Sequence, residues 1–314
     1  MDKSATVMVA GARGLVGGAL VRRLAAAGYS NLLTPARAEV DLRDPVAVDS
    51  YFAKHRPQYL FIAAAKVGGI HANNTYPGDF LRENLQIQLA LIEAARKYKV
   101  QKLLFLGSSC IYPKLAPQPI PESALLCGAL EPTNSAYAVA KIAGIEMVAA
   151  YRRQYGLNGI SAMPTNLYGP GDNYDLQNSH VLPALIRKVH EARLSGAPTV
   201  TVWGTGTVLR EFLFVDDLAD ACLFLMNSYE DDRIINVGSG EEITIRGLAE
   251  TVVEVLGFQG QLVFDTSKPD GTPRKLLDVA RINALGWRHQ VSLRDGIRRA
   301  YEDFLQTPRW HAAA

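Results

Sequence analysis

Short apolar runs alternate with longer stretches of helical periodicity through the first half of the chain. The helical stretches place apolar residues three or four positions apart, as on the face that Leu81, Leu85 and Leu89 share within residues 79–98. Strands that alternate with helices favour right-handed βαβ crossovers, and therefore a parallel sheet whose ligands bind beyond the carboxyl ends of the strands. The runs that predict buried strands are residues 6–10, 59–65, 102–106 and 159–163.

In the second half of the chain the alternation is looser, and polar turns separate the elements. We predict helices at 181–192 and 244–256 and a last helix from Ser292, where Ser292 and Asp295 have the spacing of a capping box. This change predicts a second, smaller α/β domain for the substrate at the C-terminal end. The predicted domain limits are residues 1–165 with returning segments at about 211–238 for the first domain, and residues 166–210 with 239–314 for the second.

The overall composition is that of a globular protein with a substantial core. The chain has 314 residues, 48% of them hydrophobic, and its 33 Lys and Arg nearly balance its 31 Asp and Glu. With no basic run, nucleic acid and membrane surfaces are not expected partners. The first apolar segment is too short for a signal peptide, and residues 59–70 are too short for a transmembrane helix. The three cysteines lack metal-ligand spacing, so we expect no disulfide scaffold, no metal and a cytoplasmic location.

A glycine-rich turn joins the first predicted strand to the first predicted helix. From Gly11 to Gly17 it has the spacing Gly-x-x-Gly-x-x-Gly, with Gly14 in the middle. Glycines let the backbone approach a pyrophosphate closely, and the N–H groups at a helix N-terminus favour its charge. The spacing differs from the common Gly-x-Gly-x-x-Gly, and an ordinary tight turn is the alternative interpretation. In this setting it predicts an α/β fold with a Rossmann-type doubly wound parallel sheet that binds a dinucleotide.

The expected cofactor is NADP(H), because arginines stand where its 2′-phosphate would bind. Arg13 lies within the glycine turn, and Arg37 lies roughly twenty residues further on, where an NAD enzyme would place an acid for the ribose hydroxyl. The alternative is that Arg37 lies on a solvated surface and that Glu39 serves as this acid. Asp41 and Leu42 are interpreted as contacts on the adenine side of the cofactor.

Four residues that can exchange protons or donate hydrogen bonds follow the third apolar run. Ser108 and Cys110 come directly after this run, and Tyr137 and Lys141 lie four positions apart on one face of a predicted helix. We expect the Lys141 ammonium to lower the pKa of the Tyr137 phenol, which could then exchange a proton with a substrate oxygen near neutral pH. A Tyr-x-x-x-Lys pair alone is also common on ordinary helix surfaces.

The glycine turn, Ser108, Tyr137 and Lys141 together resemble the extended short-chain dehydrogenase/reductase family, whose members act largely on nucleotide sugars. The resemblance covers essentially the whole chain, and the combination of Ser-Ser-Cys with Asn-Ser-His is specific to one branch. That branch epimerises GDP-4-keto-6-deoxy-D-mannose at C3 and C5 and then reduces it at C4 with NADPH, and the resemblance implies this activity here. The segments that carry it are residues 64–75, 107–113, 131–134, 164–170, 178–181, 202–206 and 268–275.

The resemblance also implies the roles of individual residues. Cys110, as a thiolate, would remove the proton next to the ketone, and His180 would return one to the opposite face. Ser108 and Tyr137 would donate to the enolate oxygen, and Tyr137 would later protonate the C4 oxygen. Lys141 would hold the cofactor ribose. Without the resemblance, Cys110 is more often a small buried apolar residue, and His180 is more often a surface residue or a cap.

Further residues are implied for the two ligands. Trp203 would stack on guanine, and Lys188 and Arg210 would bind the diphosphate. On the residues alone, Trp203 could equally fill the core, and the two cations could lie on a solvated surface. The resemblance implies a homodimer through the helices at 79–98 and 135–155. The implied substrate residues are Asn178, Val181, Lys188, Trp203, Arg210, Asp270 and Lys275. The implied cofactor residues are Gly11, Arg13, Gly14, Leu15, Val16, Gly17, Arg37, Asp41, Leu42, Ala65, Leu106, Lys141, Pro164, Asn166, Leu167 and His180.

Two other functions fit the same sequence. A nucleotide-sugar 4-epimerase or 4,6-dehydratase would share the fold, but a dehydratase would want a carboxylate beside the active hydroxyl, where this chain has Ser109 and Cys110. The second alternative is a non-catalytic NADP(H)-sensing module. Such modules commonly lose the tyrosine or the lysine, and this chain retains both Tyr137 and Lys141.

Overall fold

Strands and helices alternate along most of the chain, as the sequence predicts. The computed structural model describes residues 1–307 and 310, apart from residues 177 and 269. The strands are β1 (Val7–Ala10), β2 (Leu32–Leu33), β3 (Tyr59–Ile62), β4 (Lys102–Leu106), β5 (Gly159–Pro164), β6 (Asn166–Tyr168), β7 (Thr199–Trp203), β8 (Leu209–Phe214), β9 (Ile235–Val237), β10 (Glu242–Thr244), β11 (Gln261–Asp265) and β12 (Arg274–Lys275). The α-helices are α1 (Leu15–Ala26), α2 (Pro45–His55), α3 (Ile70–Thr75), α4 (Pro77–Lys97), α5 (Ser135–Tyr155), α6 (Val181–Ser195), α7 (Val215–Ser228), α8 (Ile245–Leu256), α9 (Ala280–Ala284) and α10 (Leu293–Gln306).

Six of the strands form one sheet in the order β2-β1-β3-β4-β5-β9, and every neighbouring pair in it is parallel. The chain moves from β1 first toward one edge of the sheet and then toward the other, which is the doubly wound arrangement. Helix α1 packs on α7, and α4 packs on α2 and α5. Because helices cover both faces, the strands are mostly apolar, with Lys102, Ser161 and Asn236 as buried polar exceptions. The predicted α/β fold with a doubly wound parallel sheet is confirmed.

A second hydrophobic cluster forms after β5. Strands β10, β8 and β12 lie side by side, β6 also pairs with β8, and β7 pairs in parallel with β11. Helices α6, α8 and α10 pack around these strands, with Ile186, Leu248 and Phe304 fully buried between them. Ser292 caps α10 by accepting a hydrogen bond from the Asp295 N–H at 3.2 Å, as its spacing predicts. The predicted domain limits stay a prediction, and residues 308–309 and 311–314 of the second domain lie outside the described residues.

One segment joins the two sheets between residues 209 and 228. Strand β8 pairs within the smaller sheet, yet its side chains face both hydrophobic clusters. The reason is its alternation, because Leu213 lies in the core of the large sheet while Phe212 and Phe214 lie in the second cluster. Helix α7 then returns to the large sheet. This helix was not predicted from the sequence. It buries most of its residues and keeps Asp216, Asp220 and Asn227 outside the core.

Helix α3 is a short element that was not predicted from the sequence. Within the described part of the chain, no helix combines the length and the apolar character needed to cross a membrane.

Candidate active site

The carboxyl ends of four neighbouring strands carry the residues that the sequence identifies. Gly11 follows β1, Ala65 lies shortly after β3, Leu106 ends β4 just before Ser108, and Pro164 ends β5. Parallel strands bring their carboxyl ends to one edge of the sheet, so these residues share one edge. The remaining predicted cofactor residues lie beside them, with Leu15 and Val16 in the first turn of α1, Leu42 in the loop before α2, and Asn166 and Leu167 in β6.

The turn between β1 and α1 is so tight that two of its glycines have no room for a side chain. Gly11 has φ +87°, and a Cβ on it would lie 2.7 Å from the Ala64 backbone. A Cβ on Gly17 would lie 2.0 Å from the Gly11 carbonyl oxygen, to which the Gly14 N–H donates at 3.0 Å. The backbone thus forms a concave surface in front of the N-terminus of α1, which fits a pyrophosphate.

The side chains near this turn are positively charged. Arg13 and Arg37 are both exposed. Asp41 accepts hydrogen bonds from the Arg43 guanidinium and N–H, with Oδ2 2.6 Å from Nη2. These bonds, followed by the charges of Arg43 and Arg37, hold the pKa of Asp41 well below its ordinary value. The Asp41 carboxylate is therefore engaged with Arg43, while Arg13 and Arg37 can meet a phosphate.

Tyr137 and Lys141 lie on one face of α5, with the Lys141 Nζ 5.9 Å from the centre of the Tyr137 ring. The same Nζ donates to the Leu106 carbonyl oxygen at 2.7 Å. Lys141 is 4% exposed, and burial lowers its pKa to about 8. Ser108 forms a hydrogen bond with Tyr137. The three residues therefore converge beside the end of β4.

The expected effect of Lys141 on the Tyr137 phenol was wrong. The pKa of Tyr137 is raised above its ordinary value, first by burial and then by the negative charge of a Cys110 thiolate, and the bond to Ser108 offsets only part of this. The physical reason is geometry, because the Lys141 ammonium is directed at the Leu106 carbonyl rather than at the phenol oxygen. Tyr137 is therefore a protonated phenol at neutral pH, which suits a proton donor.

Polar side chains surround the sulfur of Cys110. Lys275 Nζ donates to Sγ at 3.4 Å from β12, Asn134 Nδ2 donates at 3.4 Å from the residue before α5, and the Ser108 hydroxyl forms a further hydrogen bond. Burial acts to raise the pKa of the thiol, but the charge of Lys275 and the hydrogen bonds from Ser108 and Lys275 outweigh it. The pKa of Cys110 consequently lies below its ordinary value, which favours the reactive thiolate.

His180 immediately precedes α6, in a loop that contacts the segment after β3. The Gly69 N–H donates to the Asn178 carbonyl oxygen at 3.0 Å, and the Asn178 side chain donates to Asp175 at 2.9 Å. The residue His180 is exposed overall, but its imidazole ring has many protein atoms around it. This burial of the ring lowers the pKa of His180, and the charge of Lys275 lowers it further. Because Lys275 acts on both His180 and Cys110, the two predicted proton carriers border the same cleft.

Trp203 presents an aromatic surface flanked by cations. Trp203 is 54% exposed, and the ammonium groups of Lys188 and Lys268 lie 5.1 and 5.6 Å from its ring centre. The Lys188 Nζ also donates to the Thr201 carbonyl oxygen at 3.1 Å, and burial lowers its pKa. The exposure excludes the core interpretation of Trp203, and the arrangement suits a nucleotide base with phosphates nearby.

Arg210 and Asp270 are held mainly by the protein itself. The Arg210 guanidinium donates to the Leu209 carbonyl at 2.8 Å and to the Asp270 carbonyl at 3.4 Å, and burial lowers its pKa. The Asp270 carboxylate accepts hydrogen bonds from the Thr205 N–H at 2.8 Å and hydroxyl at 2.9 Å. The Asp270 carboxylate therefore ties its own segment to the loop at Thr205, and its predicted contact with substrate stays a prediction. Val181 is the first residue of α6.

Sequence reasoning missed two features of this site. Lys275 was predicted only as a substrate residue, which stays a prediction, and the structure shows in addition that its ammonium lies against the Cys110 sulfur. Asn134 was not predicted at all as a site residue. Asn134 directly precedes the helix that carries Tyr137, and this position is the signal that could have identified it. An asparagine there can either cap the helix or face the site.

Comparisons with known proteins agree with this site. The model of the NAD dependent epimerase/dehydratase family matches residues 7–238. The chain belongs to the NAD dependent epimerase/dehydratase family. This membership confirms the family resemblance that the motifs indicated.

Two curated relatives and one solved structure illustrate how similar members of the epimerase/dehydratase family are to this chain. GDP-L-fucose synthase 1 of Arabidopsis thaliana is 60% identical over 305 residues, which cover 97% of this chain and 94% of that protein. GDP-L-fucose synthase of Escherichia coli (strain K12) is 53% identical over 309 residues, covering 96% of each. A GDP-L-fucose synthetase from Naegleria fowleri bound to NADP has a TM-score of 0.91 at 28% identity, over 98% of this chain and 96% of that one.

Proposed function

We propose that this chain is a bifunctional enzyme that converts GDP-4-keto-6-deoxy-D-mannose to GDP-L-fucose. It epimerises the sugar at C3 and C5 and then reduces C4 with NADPH. Full-length similarity to proteins named GDP-L-fucose synthase supports this proposal. The observation that carries it is the 3.4 Å contact between Lys275 Nζ and Cys110 Sγ, in the same site as Tyr137. A simple reductase needs no thiolate, whereas an epimerase needs a base that can remove a proton from carbon.

The epimerisation begins with loss of a proton from the carbon next to the ketone. This proton is acidic only if the developing enolate oxygen is stabilised, and Ser108 and Tyr137 donate hydrogen bonds to it. The Cys110 thiolate accepts the proton, and the electron pair of the C–H bond passes into the enolate. His180 then gives a proton to the opposite face, and its lowered pKa makes its protonated form a stronger acid.

The reduction uses the same oxygen-binding groups. NADPH held against the glycine turn would supply the hydride for C4. Tyr137, which burial keeps protonated at neutral pH, donates its proton to the C4 oxygen. Lys141, fixed at the Leu106 carbonyl, binds the cofactor ribose. Because Ser108 and Tyr137 face one oxygen throughout, a single site serves both steps.

The residues around the first turn fit NADP(H). The absence of side chains at Gly11 and Gly17 leaves a surface on which the pyrophosphate lies against the N-terminus of α1. Arg13 and Arg37, both exposed, would bind the 2′-phosphate that distinguishes NADP(H) from NAD(H).

We assign the GDP moiety to the second cluster. Trp203 would stack on guanine, and Lys188 and Arg210 would contact the diphosphate. Asn178 and Val181 border the sugar through the loop that carries His180, while Asp270 holds the loop beside Arg210.

We also propose a cytoplasmic homodimer that associates through α4 and α5. These helices pack on each other within the chain, and they expose Leu89, Val139 and Tyr155 to 56, 47 and 50%. Apolar side chains exposed on two neighbouring helices are consistent with an interface between subunits. Sedimentation is expected to give the mass of a dimer, and a monomer at micromolar concentration would oppose this assignment.

The proposed reaction is tested by mixing the protein with NADPH and GDP-4-keto-6-deoxymannose while following the absorbance of the cofactor. We expect one NADPH to be oxidised and released as NADP+ for each GDP-L-fucose formed. Redox-neutral turnover on a tightly held cofactor would favour a 4-epimerase instead. If Tyr137→Phe and the unaltered protein were equally without activity, a sensing module would be the better interpretation.

A further inference from the structure

Asn134 occupies the N-cap position of α5 but does not cap the helix. It has φ −130° and ψ 16°, and its side chain makes no hydrogen bond to the helix N–H groups. Asparagine is among the residues that most favour this position, because its side-chain oxygen ordinarily accepts a bond from one of the first N–H groups. The side chain of Asn134 therefore gives up its usual stabilising contact.

Asn134 faces the sulfur of Cys110 instead. Its Nδ2 lies 3.4 Å from Sγ, and its Oδ1 is buried without a hydrogen-bond partner. A thiolate can only accept hydrogen bonds, so the donor end of the amide is the end that suits it. A residue that forgoes a helix cap and leaves a buried oxygen unpaired destabilises the fold locally, and such arrangements are expected at functional sites.

The chain before Asn134 fixes this orientation. Asn134 ends a short 3-10 helix, which Glu131 caps by accepting a bond from the Thr133 N–H. The Glu131 carboxylate lies 3.0 Å from the Lys114 ammonium and 3.4 Å from the Thr272 hydroxyl. The segment that delivers Asn134 is thereby anchored on both sides of the cleft that contains Cys110.

We propose that Asn134 is a positioning residue of the epimerisation step, which donates its amide hydrogen to the Cys110 thiolate and holds the sulfur toward the sugar. The other groups that face Cys110 are the Lys275 ammonium from β12, the Ser108 hydroxyl and the Tyr137 phenol. Lys275 supplies positive charge, whereas Asn134 supplies a neutral donor whose direction is fixed. Because the proton removal itself is the step proposed above, this role rests on the proposed function.

A titration of the thiol tests the contact without any substrate. The rate of alkylation by iodoacetamide as a function of pH gives the titration midpoint of the Cys110 thiol. The measurement uses a Cys127→Ser background, because Cys127 is exposed whereas Cys222 is buried. We expect Asn134→Ala to raise this midpoint by about one pH unit, since it removes a hydrogen bond to a charged group. Asn134→Asp keeps the shape but places a carboxylate at the sulfur, and it should raise the midpoint further.

Two matched variants separate this effect from a loss of helix stability. Asn134→Ser can cap α5 yet is too short to reach the sulfur, so it should show the raised midpoint with an unchanged melting temperature. Ser135→Ala changes the next residue, whose hydroxyl donates to the Pro132 carbonyl at 3.3 Å, and should leave the midpoint unchanged. If folded Asn134→Ala and Asn134→Ser both titrate like the unaltered protein, the proposal is overturned.

Deuterium uptake connects the contact to the reaction. With NADPH and GDP-4-keto-6-deoxymannose in deuterated water, Asn134→Ala should incorporate deuterium at C3 and C5 about tenfold more slowly at pH 7, in proportion to the lost thiolate, with unchanged affinity for NADPH. A raised midpoint with normal uptake would overturn the role in epimerisation. If the unaltered protein took up no deuterium and oxidised no NADPH, the proposed function itself would fail, although a raised midpoint would still support the contact between Asn134 and Cys110.

Discussion

The Lys275 ammonium lies 3.4 Å from the Cys110 sulfur, although 165 positions separate the two residues in the sequence. Lys275 belongs to the smaller sheet and Cys110 follows the fourth strand of the large one, so the contact joins the two parts of the fold across the cleft. Its charge lowers the pKa of the thiol against the effect of burial, and it adds to the effect of burial in lowering the pKa of His180. One cation therefore prepares both proton carriers.

Replacement of this cation should move the pH dependence of epimerisation. Lys275→Met has nearly the same length without the charge, so the pKa of Cys110 should rise and the rate at pH 7 should fall about tenfold for each unit of the rise. The rate of deuterium uptake at C3 and C5, plotted against pH from 6 to 9, should have its rising limb displaced to higher pH. Lys54→Met removes an exposed lysine of α2 and should behave like the unaltered protein. An undisplaced limb in Lys275→Met would argue against Lys275 as the activating charge.

The glycine turn offers a comparison between adjacent positions. A Cβ on Gly17 would lie 2.0 Å from the Gly11 carbonyl oxygen, whereas a Cβ on Gly18 would meet nothing closer than 3.6 Å. Gly17→Ala should therefore open the turn, destabilise the protein by about 2 kcal/mol and weaken NADPH binding at least about tenfold. Gly18→Ala should stabilise α1 by about 0.5–1 kcal/mol without changing the affinity. Fluorescence titration with NADPH measures the affinities, and thermal melts measure the stabilities. If Gly17→Ala bound NADPH as tightly as Gly18→Ala, the result would count against the assigned pyrophosphate site.

Asp172 should make the stability of the protein depend on pH. It is 6% exposed, its Oδ2 has no hydrogen-bond partner, and burial raises its pKa to about 7. The folded protein therefore keeps a proton that the unfolded chain releases near the ordinary value of 3.8. The stabilising effect is complete below that pH and is lost as the pH rises toward 7, at about 1.4 kcal/mol per unit of pKa difference.

Asp172→Asn removes this ionisation while keeping the shape of the side chain. Its free energy of unfolding in urea should exceed that of the unaltered protein at pH 8 and differ little from it at pH 4. Asp232→Asn changes an exposed residue in the same way and should have no effect at either pH. If Asp172→Asn were no more stable at pH 8, the ionisation of the buried Asp172 carboxyl would not be the cause of the pH dependence.

The features that the sequence predicted correctly are those that depend on short separations along the chain. Gly11 and Gly17 stand between a strand and a helix, and Tyr137 and Lys141 stand one helical turn apart, so spacing alone indicates their relative positions. The alternation of apolar runs with helical stretches similarly predicts the large parallel sheet. The capping of α10 by Ser292 needs only the three residues that follow it.

The features that the sequence did not predict depend on contacts between distant segments or on the direction of a side chain. No spacing relates Lys275 to Cys110, and the raised pKa of Tyr137 results from burial and from the alignment of Lys141 with a backbone carbonyl. The side chains of strand β8 contact both hydrophobic clusters in alternation, so its sequence does not assign it to one of them. Asn134 could have been either a cap or a site residue, and only the folded structure distinguishes the two.

Deuterium incorporation by the unaltered protein and by Cys110→Ser tests the bifunctional mechanism most directly. Each is mixed with NADPH and GDP-4-keto-6-deoxymannose in deuterated water, and the sugar is analysed at C3 and C5. The unaltered protein should oxidise NADPH and form GDP-L-fucose with deuterium at both carbons, whereas Cys110→Ser should bind NADPH normally and incorporate no deuterium at either carbon. Normal incorporation by Cys110→Ser, or oxidation of NADPH by the unaltered protein without any deuterium in the product, would contradict the account.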